Sequence, residues 1–237
     1  MFLMRPPGVY RPQGDTELLC EALERSGALP GARVLDVGTG TGAVALAAAR
    51  GGAARVTAID VSARALLTAR FNAFLRGVRI NACLGDLFGP VAGEAFDVVL
   101  ANPPYVLSGG NGAIVRGSAR AWDGGTDGRT VLDRVCADAP AHLAPGGTLL
   151  LVHSALSGVR ETLRSLRAGG LRAAVVARRP EPFGPVMRAQ AALLEARRVI
   201  EPGQRHEDLV VIRADRVPTG SGAHPPDDGR RIAAVEG

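Results

Sequence analysis

The fold is decided by the stretch Val34-Leu35-Asp36-Val37-Gly38-Thr39-Gly40-Thr41-Gly42. A short apolar strand runs into a glycine-rich turn, and the alanine-rich residues 43–50 that follow predict a helix. Glycines in such a turn let the backbone approach a ligand closely, and the helix N-terminus presents free N–H groups. Gly38, Gly40 and Ala43 also satisfy the dinucleotide pattern G-x-G-x-x-G/A, so the glycines alone leave the cofactor open.

On both sides of this stretch, predicted strands and helices alternate with short connections. Strands are predicted at residues 33–37, 55–59, 78–84, 96–101, 148–153, 171–177 and 208–214, and helices at 15–26, 43–50, 63–75, 130–143, 158–168 and 187–197. The alternation predicts an α/β fold: a doubly wound, mostly parallel seven-stranded sheet with helices on both faces, Rossmann-like in outline. We expect one domain over residues 1–215 with an N-terminal segment at 1–32, a long loop at 107–125 and a disordered tail at 216–237.

Three acids stand at the ends of the first three predicted strands. Asp36 would face a cationic amino group, whereas it would repel a pyrophosphate. Asp60, followed by Val61, can accept hydrogen bonds from a ribose, and Asp86, followed by Leu87, can accept from an adenine amino group. A lone Asp at a strand end is more often a cap or turn residue. Asp15, which precedes every predicted strand, is expected to cap the first helix. Both NAD-binding and S-adenosylmethionine-binding folds place an acid where Asp60 stands, so Asp60 does not discriminate between them. Asp36 and Asp86, together with the loop that follows the fourth predicted strand, favour S-adenosylmethionine over NAD.

The fourth predicted strand, at 96–101, is followed directly by Asn102-Pro103-Pro104-Tyr105. Both prolines have a fixed φ and lack an N–H, so the carbonyls of Asn102 and Pro103 are available to a ligand. This arrangement suits a planar –NH2 group, whose two N–H donors meet two acceptors while the Tyr105 ring covers one face. The loop therefore predicts a substrate amide or exocyclic amine.

These motifs together resemble the class I methyltransferases, and within them the HemK/PrmC-type N5-glutamine methyltransferases. The likeness covers roughly residues 9–215 and includes Val9-Tyr10-Arg11-Pro12 with Asp15-Thr16, the glycine turn, and the Asn-Pro-Pro-Tyr loop. It also includes Asp123-Gly124-Gly125-Thr126-Asp127-Gly128. The resemblance implies S-adenosylmethionine as cofactor, held by Asp36, Gly38, Asp60 and Asp86, with Thr16 closing over its methionine end. It implies that Asn102 and the Pro103 carbonyl hold the target amide.

The sequence departs from that family in two places. About thirty residues precede the glycine turn, which resembles the short branch without the N-terminal helical domain. Some members of that branch work with a small zinc-binding activator protein. Gly14 also stands where the branch often has an acid before the Asp-Thr pair.

Composition agrees with one soluble α/β domain of 237 residues. The pI is near 10.0, but every basic side chain is an Arg and the arginines are scattered, which is typical of solvated faces rather than of a phosphate-binding stripe. Three isolated cysteines indicate neither a zinc site nor a disulfide framework, and no metal is expected. Without a membrane span or a signal peptide pattern, we expect a cytoplasmic protein.

The acceptor stays open between three classes at this point. A glutamine side chain of a protein such as a peptide-chain release factor is favoured, because residues 10–16 and 124–128 match the glutamine methyltransferases. The exocyclic amine of adenine or cytosine in a nucleic acid presents a similar –NH2 group, as does a small-molecule amine. A non-catalytic NAD-binding module is the alternative outside the enzymes.

Overall fold

The computed structural model describes residues 3–107 and 122–218. Six α-helices and seven strands lie within these ranges. In chain order they are α1 (Gly14–Arg25), β1 (Arg33–Val37), α2 (Ala43–Arg50), β2 (Arg55–Asp60), α3 (Ala63–Phe74), β3 (Asn81–Leu84), β4 (Phe96–Ala101), α4 (Leu132–Asp138), β5 (Leu143–Ser154), α5 (Val159–Ala168), β6 (Leu171–Pro182), α6 (Pro185–Ala196) and β7 (His206–Arg216).

All seven strands form one sheet in the order β3-β2-β1-β4-β5-β7-β6. Neighbours from β3 to β5 pair in parallel, and β7 runs antiparallel between β5 and β6. The predicted doubly wound, mostly parallel seven-stranded sheet is therefore confirmed. The central strands are buried on both faces, which explains why they read as continuous apolar runs.

Alternate residues of the central strands enter two cores on opposite faces of the sheet. Leu35 and Val99 pack with α4 and α5, whereas Val34 and Val98 pack with α1 and α2. This separation follows from the two-residue period of a strand, which sends successive side chains to opposite faces.

Several predicted elements have different bounds in the structure. The strand predicted at 78–84 begins at Asn81, and the helix predicted at 130–143 is a short α4 followed by a 3-10 turn at Ala139–His142. Pro140 explains the second difference, because it lacks the N–H that an α-helix would need there. β5 begins at Leu143 rather than at the predicted 148, because Leu143 already pairs with Phe96 of β4. β6 continues five residues past the predicted end at Ala177, since it pairs with β7 along its whole length to Pro182.

Parts of two expectations fall outside the described residues, namely 108–121 of the predicted loop and 219–237 of the predicted tail. In the described ranges, β7 ends at Arg216. None of the helices placed there is long and apolar enough to cross a membrane.

The strand register determines where the site lies. Val37 of β1 is paired with Ile59 of β2 and with Ala101 of β4, and Asp60 is paired with Leu84 of β3. Four carboxyl ends therefore meet at one edge of the sheet, which is where ligands bind in open α/β sheets.

Candidate active site

The carboxyl ends of β1, β2, β3 and β4 open onto a cavity of about 810 Å³. This volume lies within the range of roughly 300–1,000 Å³ that small-molecule sites occupy. The cavity wall contains ten residues that the sequence predicts for the site, namely Thr16, Asp36, Gly38, Gly40, Asp60, Val61, Asp86, Leu87, Asn102 and Pro104. The fold thus brings together residues that lie far apart along the chain.

The glycine-rich turn forms one wall of this cavity. Its shape is fixed by hydrogen bonds from the N–H groups of Gly38 and Thr39 to the Ile59 carbonyl, both at 2.9 Å. A Cβ added to Gly38 or Gly40 would meet no atom within 4 Å, so it would point into open space. The two glycines therefore leave a cradle in which a ligand can lie directly against the backbone.

Asp36 is a buried carboxyl in the same wall. Its Oδ2 accepts hydrogen bonds from Thr39 Oγ1 at 2.6 Å and from the Ala45 backbone N–H at 3.1 Å. Burial raises the pKa of Asp36 to about 6, although both hydrogen bonds lower it. An ionised Asp36 favours a cationic ligand group at this position and disfavours a phosphate.

Asp60 lies at the end of β2 and holds the turn in place. Its Oδ1 accepts from the Ser62 N–H at 2.8 Å, and its Oδ2 accepts from the Gly40 N–H at 2.9 Å. Burial raises the pKa of this carboxyl, while its backbone hydrogen bonds lower it. Backbone N–H groups of Ser62, Gly40 and Val61 all hydrogen-bond to this carboxyl, and the acceptor capacity that is left suits a sugar hydroxyl. The neighbouring Val61 side chain is exposed and offers an apolar contact.

Asp86 lies beyond β3 and has a partner that the sequence does not reveal. Its Oδ2 pairs with Arg134 Nη2 of α4 at 2.6 Å, and both side chains are more than half exposed. Arg134 lines the cavity but stands 48 positions from Asp86, so no local pattern indicates the pair. Leu87 has a φ of +46°. This left-handed conformation is unusual for a residue other than glycine.

The loop Asn102-Pro103-Pro104-Tyr105 follows β4 directly. Asn102 and Pro104 line the large cavity, and all four residues line an adjoining cavity of about 20 Å³. Asn102 is half-buried, and its Nδ2 donates to Thr16 Oγ1 at 3.4 Å. Tyr105 is 8% exposed, so its ring offers little surface to a ligand in this structure. Contact of a substrate amide with the Pro103 carbonyl and with the ring stays a prediction.

Asp15 has a different role from the helix cap that the sequence suggests. The N-cap of α1 is Gln13, and Asp15 lies buried in the first helical turn. Its Oδ2 accepts from the hydroxyls of Tyr10 at 2.8 Å and Tyr105 at 3.0 Å. Asp15 therefore ties the N-terminal segment to the Asn-Pro-Pro-Tyr loop. In the sequence, this role of Asp15 is indicated only by the Asp15-Thr16 pair that belongs to the family resemblance.

The glycine-rich segment at 123–128 packs against the same loop. Val106 and Asp123 form a β-bridge, and a Cβ on Gly128 would lie 2.4 Å from the Tyr105 carbonyl oxygen. Gly128 also has a φ of +73°, which side chains disfavour. Only a glycine at position 128 allows the segment 123–128 to pack this closely against the Asn-Pro-Pro-Tyr loop.

Metal-binding geometry is absent from the described part of the chain. Within residues 3–107 and 122–218, no group of three or more His, Cys, Asp or Glu side chains could hold a metal ion.

Comparison with known proteins gives consistent matches. Residues 3–116 match the methyltransferase small domain family. The chain is 36% identical over 181 residues to a predicted protein N5-glutamine methyltransferase of Methanocaldococcus jannaschii, which corresponds to 76% of this chain and 90% of that protein. It is 38% identical over 154 residues to the release factor glutamine methyltransferase of Gloeobacter violaceus, or 61% of this chain and 54% of that protein. The chain thus spans about half the length of the bacterial relative.

One solved structure is similar in both fold and sequence. It is the Mtq2–Trm112 complex of E. cuniculi, which is described as responsible for methylation of the eRF1 translation termination factor. The match has a TM-score of 0.60 at 27% identity and covers 88% of this chain and 99% of that chain.

Proposed function

Because the chain belongs to the protein N5-glutamine methyltransferase family, we propose that it transfers a methyl group from S-adenosylmethionine to a glutamine side chain. We propose a protein of the translation machinery, such as a peptide-chain release factor, as the acceptor. One observation supports this reading above the others: Asn102 and Pro104 line the same cavity as Asp36, Gly38 and Asp60. Groups suited to an amide and groups suited to the cofactor therefore share one space.

The wall of this cavity fits S-adenosylmethionine. The open cradle at Gly38 and Gly40 accommodates close approach to the backbone. Asp36 would hold the ammonium of the methionine part, Asp60 the ribose hydroxyls, and Asp86 with Val61 the adenine. When bound, the cofactor supplies a methyl group on a cationic sulfur, which makes that methyl electrophilic.

The contribution of the chain to the reaction is to position and polarise the amide. An amide nitrogen is a poor nucleophile because its lone pair is delocalised into the carbonyl. Hydrogen bonds from its N–H groups to Asn102 Oδ1 and the Pro103 carbonyl shift electron density onto nitrogen and fix its orientation. Preorganised contacts of this kind can lower a barrier by several kcal/mol. A strong general base is unnecessary, since the nitrogen becomes acidic only as the methyl group arrives.

The acceptor class is tested by methyl transfer from labelled cofactor, with release factor, DNA and RNA assayed side by side. We expect labelling of the release factor and its loss when the acceptor glutamine is replaced by glutamate, because the –NH2 donors disappear. Labelling of adenine-containing oligonucleotides without labelling of release factor would instead favour the nucleic-acid alternative. Because translation factors act in the cytoplasm, we also propose a cytoplasmic location.

We also propose that a small partner protein, of the zinc-binding activator kind, covers the face formed by α3 and β3. Five large apolar side chains are exposed there by 46–78%, namely Leu67, Phe71, Phe74, Leu75 and Leu84. β3 is also an edge strand of the sheet. Its outer edge can pair with a strand from another protein, while the apolar side chains supply the contact area.

The partner proposal is tested by co-purification of the tagged protein from its native host. Leu84→Arg should abolish recovery of a small protein, whereas Leu193→Arg, on the exposed side of α6, should leave it unchanged. Equal recovery with both variants, or no small protein with the unchanged chain, would refute the proposal.

A further inference from the structure

Asp15 is a buried acid that the chemistry described so far does not use. It is 3% exposed, and both its oxygens are occupied. Oδ2 accepts from the hydroxyls of Tyr10 and Tyr105, and Oδ1 accepts from the Thr16 N–H at 2.5 Å and Thr16 Oγ1 at 3.1 Å. A carboxylate this far from solvent is costly unless its hydrogen bonds are satisfied, and here four donors meet it.

Thr16 links Asn102 to Asp15 by two hydrogen bonds: Asn102 Nδ2 donates to Thr16 Oγ1, and Thr16 Oγ1 donates to Asp15 Oδ1. Asp15 accepts all four of the hydrogen bonds described above, so Thr16 Oγ1 gives its single proton to Asp15. Thr16 Oγ1 has no second proton, so toward Asn102 it can only accept a hydrogen bond. The donor is Asn102 Nδ2, which lies 3.4 Å from Thr16 Oγ1. The carboxamide oxygen of Asn102 is thereby turned away from Thr16. Asp15 thus determines which end of the Asn102 amide is available to a ligand.

We propose that Asp15, acting through Thr16, is a positioning residue that fixes Asn102 with its oxygen toward the substrate. The site then presents hydrogen-bond acceptors, and it selects an acceptor side chain that donates. A glutamine amide fits this requirement, whereas a glutamate at the same place sets carboxylate oxygens against Asn102 Oδ1 and is rejected. This inference rests on the proposed function, because it assumes that Asn102 contacts a side-chain amide.

The test replaces the Thr16 hydroxyl with a methyl group of similar size. Thr16→Val should lower kcat about tenfold, the effect of one hydrogen bond to a charged network, while Thr16→Ser keeps the hydroxyl and should restore it. Thr68→Val is the matched control, since Thr68 is also buried but donates to the Arg64 carbonyl within α3. The control should retain the kcat of the unchanged protein.

The decisive readout is discrimination between glutamine and glutamate. Competition against labelled release factor should show that the unchanged protein binds the glutamate version of the acceptor much more weakly than the glutamine version. Thr16→Val lets Asn102 rotate, so this preference should shrink about tenfold. A purely structural role for Thr16 would weaken both versions alike. An unchanged preference would overturn the inference.

A measurement without substrate separates this inference from the proposed function. The side-chain NH2 signals of Asn102, followed by NMR in the full chain, should shift in Thr16→Val and return in Thr16→Ser. If they do not move, the positioning role is wrong whatever the substrate is. If they move but no glutamine acceptor is labelled by the unchanged protein, the orientation stands, and the proposed function and the glutamine preference both fall.

Discussion

Lowering the pH should weaken cofactor binding through Asp36. The pKa of this carboxyl is about 6 in the unliganded protein because it is buried. If it holds the ammonium of the cofactor, only its ionised form binds well. With that pKa, the ionised fraction falls from about 90% at pH 7 to about 10% at pH 5, so affinity should fall about tenfold, or about 1.4 kcal/mol.

Isothermal titration with S-adenosylhomocysteine measures this effect, since that ligand keeps the ammonium but lacks the reactive methyl group. Repeating the titration near pH 5.5 in buffers of different ionisation enthalpy should reveal a proton released on binding. Asp60 is a second carboxyl in the same cavity, and burial raises its pKa as well. The quantity to compare is therefore the slope of affinity against pH in the unchanged protein and in Asp36→Asn. Equal slopes, or an affinity independent of pH, would refute the role of Asp36.

The same group affects folding with the opposite sign. The pKa of Asp36 is higher in the folded chain than its ordinary value of 3.8. Its contribution to the free energy of unfolding is therefore fully present below about pH 3.8 and is lost as the pH rises through 6. Asp36→Asn should accordingly raise the Tm of the unliganded protein at pH 7.5, with the difference closing toward pH 4. A lower Tm at neutral pH would mean that the hydrogen bonds of the carboxylate outweigh its burial.

Three further variants test the rest of the site. Asp60→Ala should weaken S-adenosylhomocysteine binding by roughly 1.5–3 kcal/mol, the value of charged hydrogen bonds, and unchanged affinity in titration would remove Asp60 from the site. Asn102→Ala should lower turnover about 10²–10³-fold in the labelling assay while cofactor affinity stays within a few-fold; near-normal turnover would reduce the loop to a turn. Gly128→Ala should lower the free energy of unfolding by at least about 1 kcal/mol in urea and also reduce kcat, because its methyl group collides with the Tyr105 carbonyl.

The sequence predicts the centre of the fold better than its margins. β1, α2 and β4 have the predicted bounds because buried apolar runs end at glycine or Asn-Pro signals. β6 runs past its prediction because residues 178–182 are held by pairing with β7 rather than by an apolar pattern of their own. Local propensity does not register such pairing, since the partner strand is distant in the sequence.

The site divides in the same way. The strand-end acids and the Asn-Pro-Pro-Tyr loop can be predicted from the sequence, because the carboxyl ends of neighbouring parallel strands meet at one edge of the sheet. The ion pair of Arg134 with Asp86 and the bonding of Asp15 to Tyr105 depend on side chains 48 and 90 positions apart. Only the packed fold brings these groups together, so a single sequence does not predict them. Asp15 illustrates the difference. Local rules predict a helix cap, whereas in the structure Asp15 is buried and accepts hydrogen bonds from Tyr10 and Tyr105.

The antiparallel direction of β7 has a practical consequence for handling this protein. A strand that runs against its neighbours ends at the edge of the sheet opposite the cavity. Pro218 accordingly lies beside Gly146, close to where β5 begins. A dye or a surface attached through position 218 therefore leaves the mouth of the cavity free. Immobilised in this orientation, the enzyme can still receive an acceptor as large as a whole translation factor.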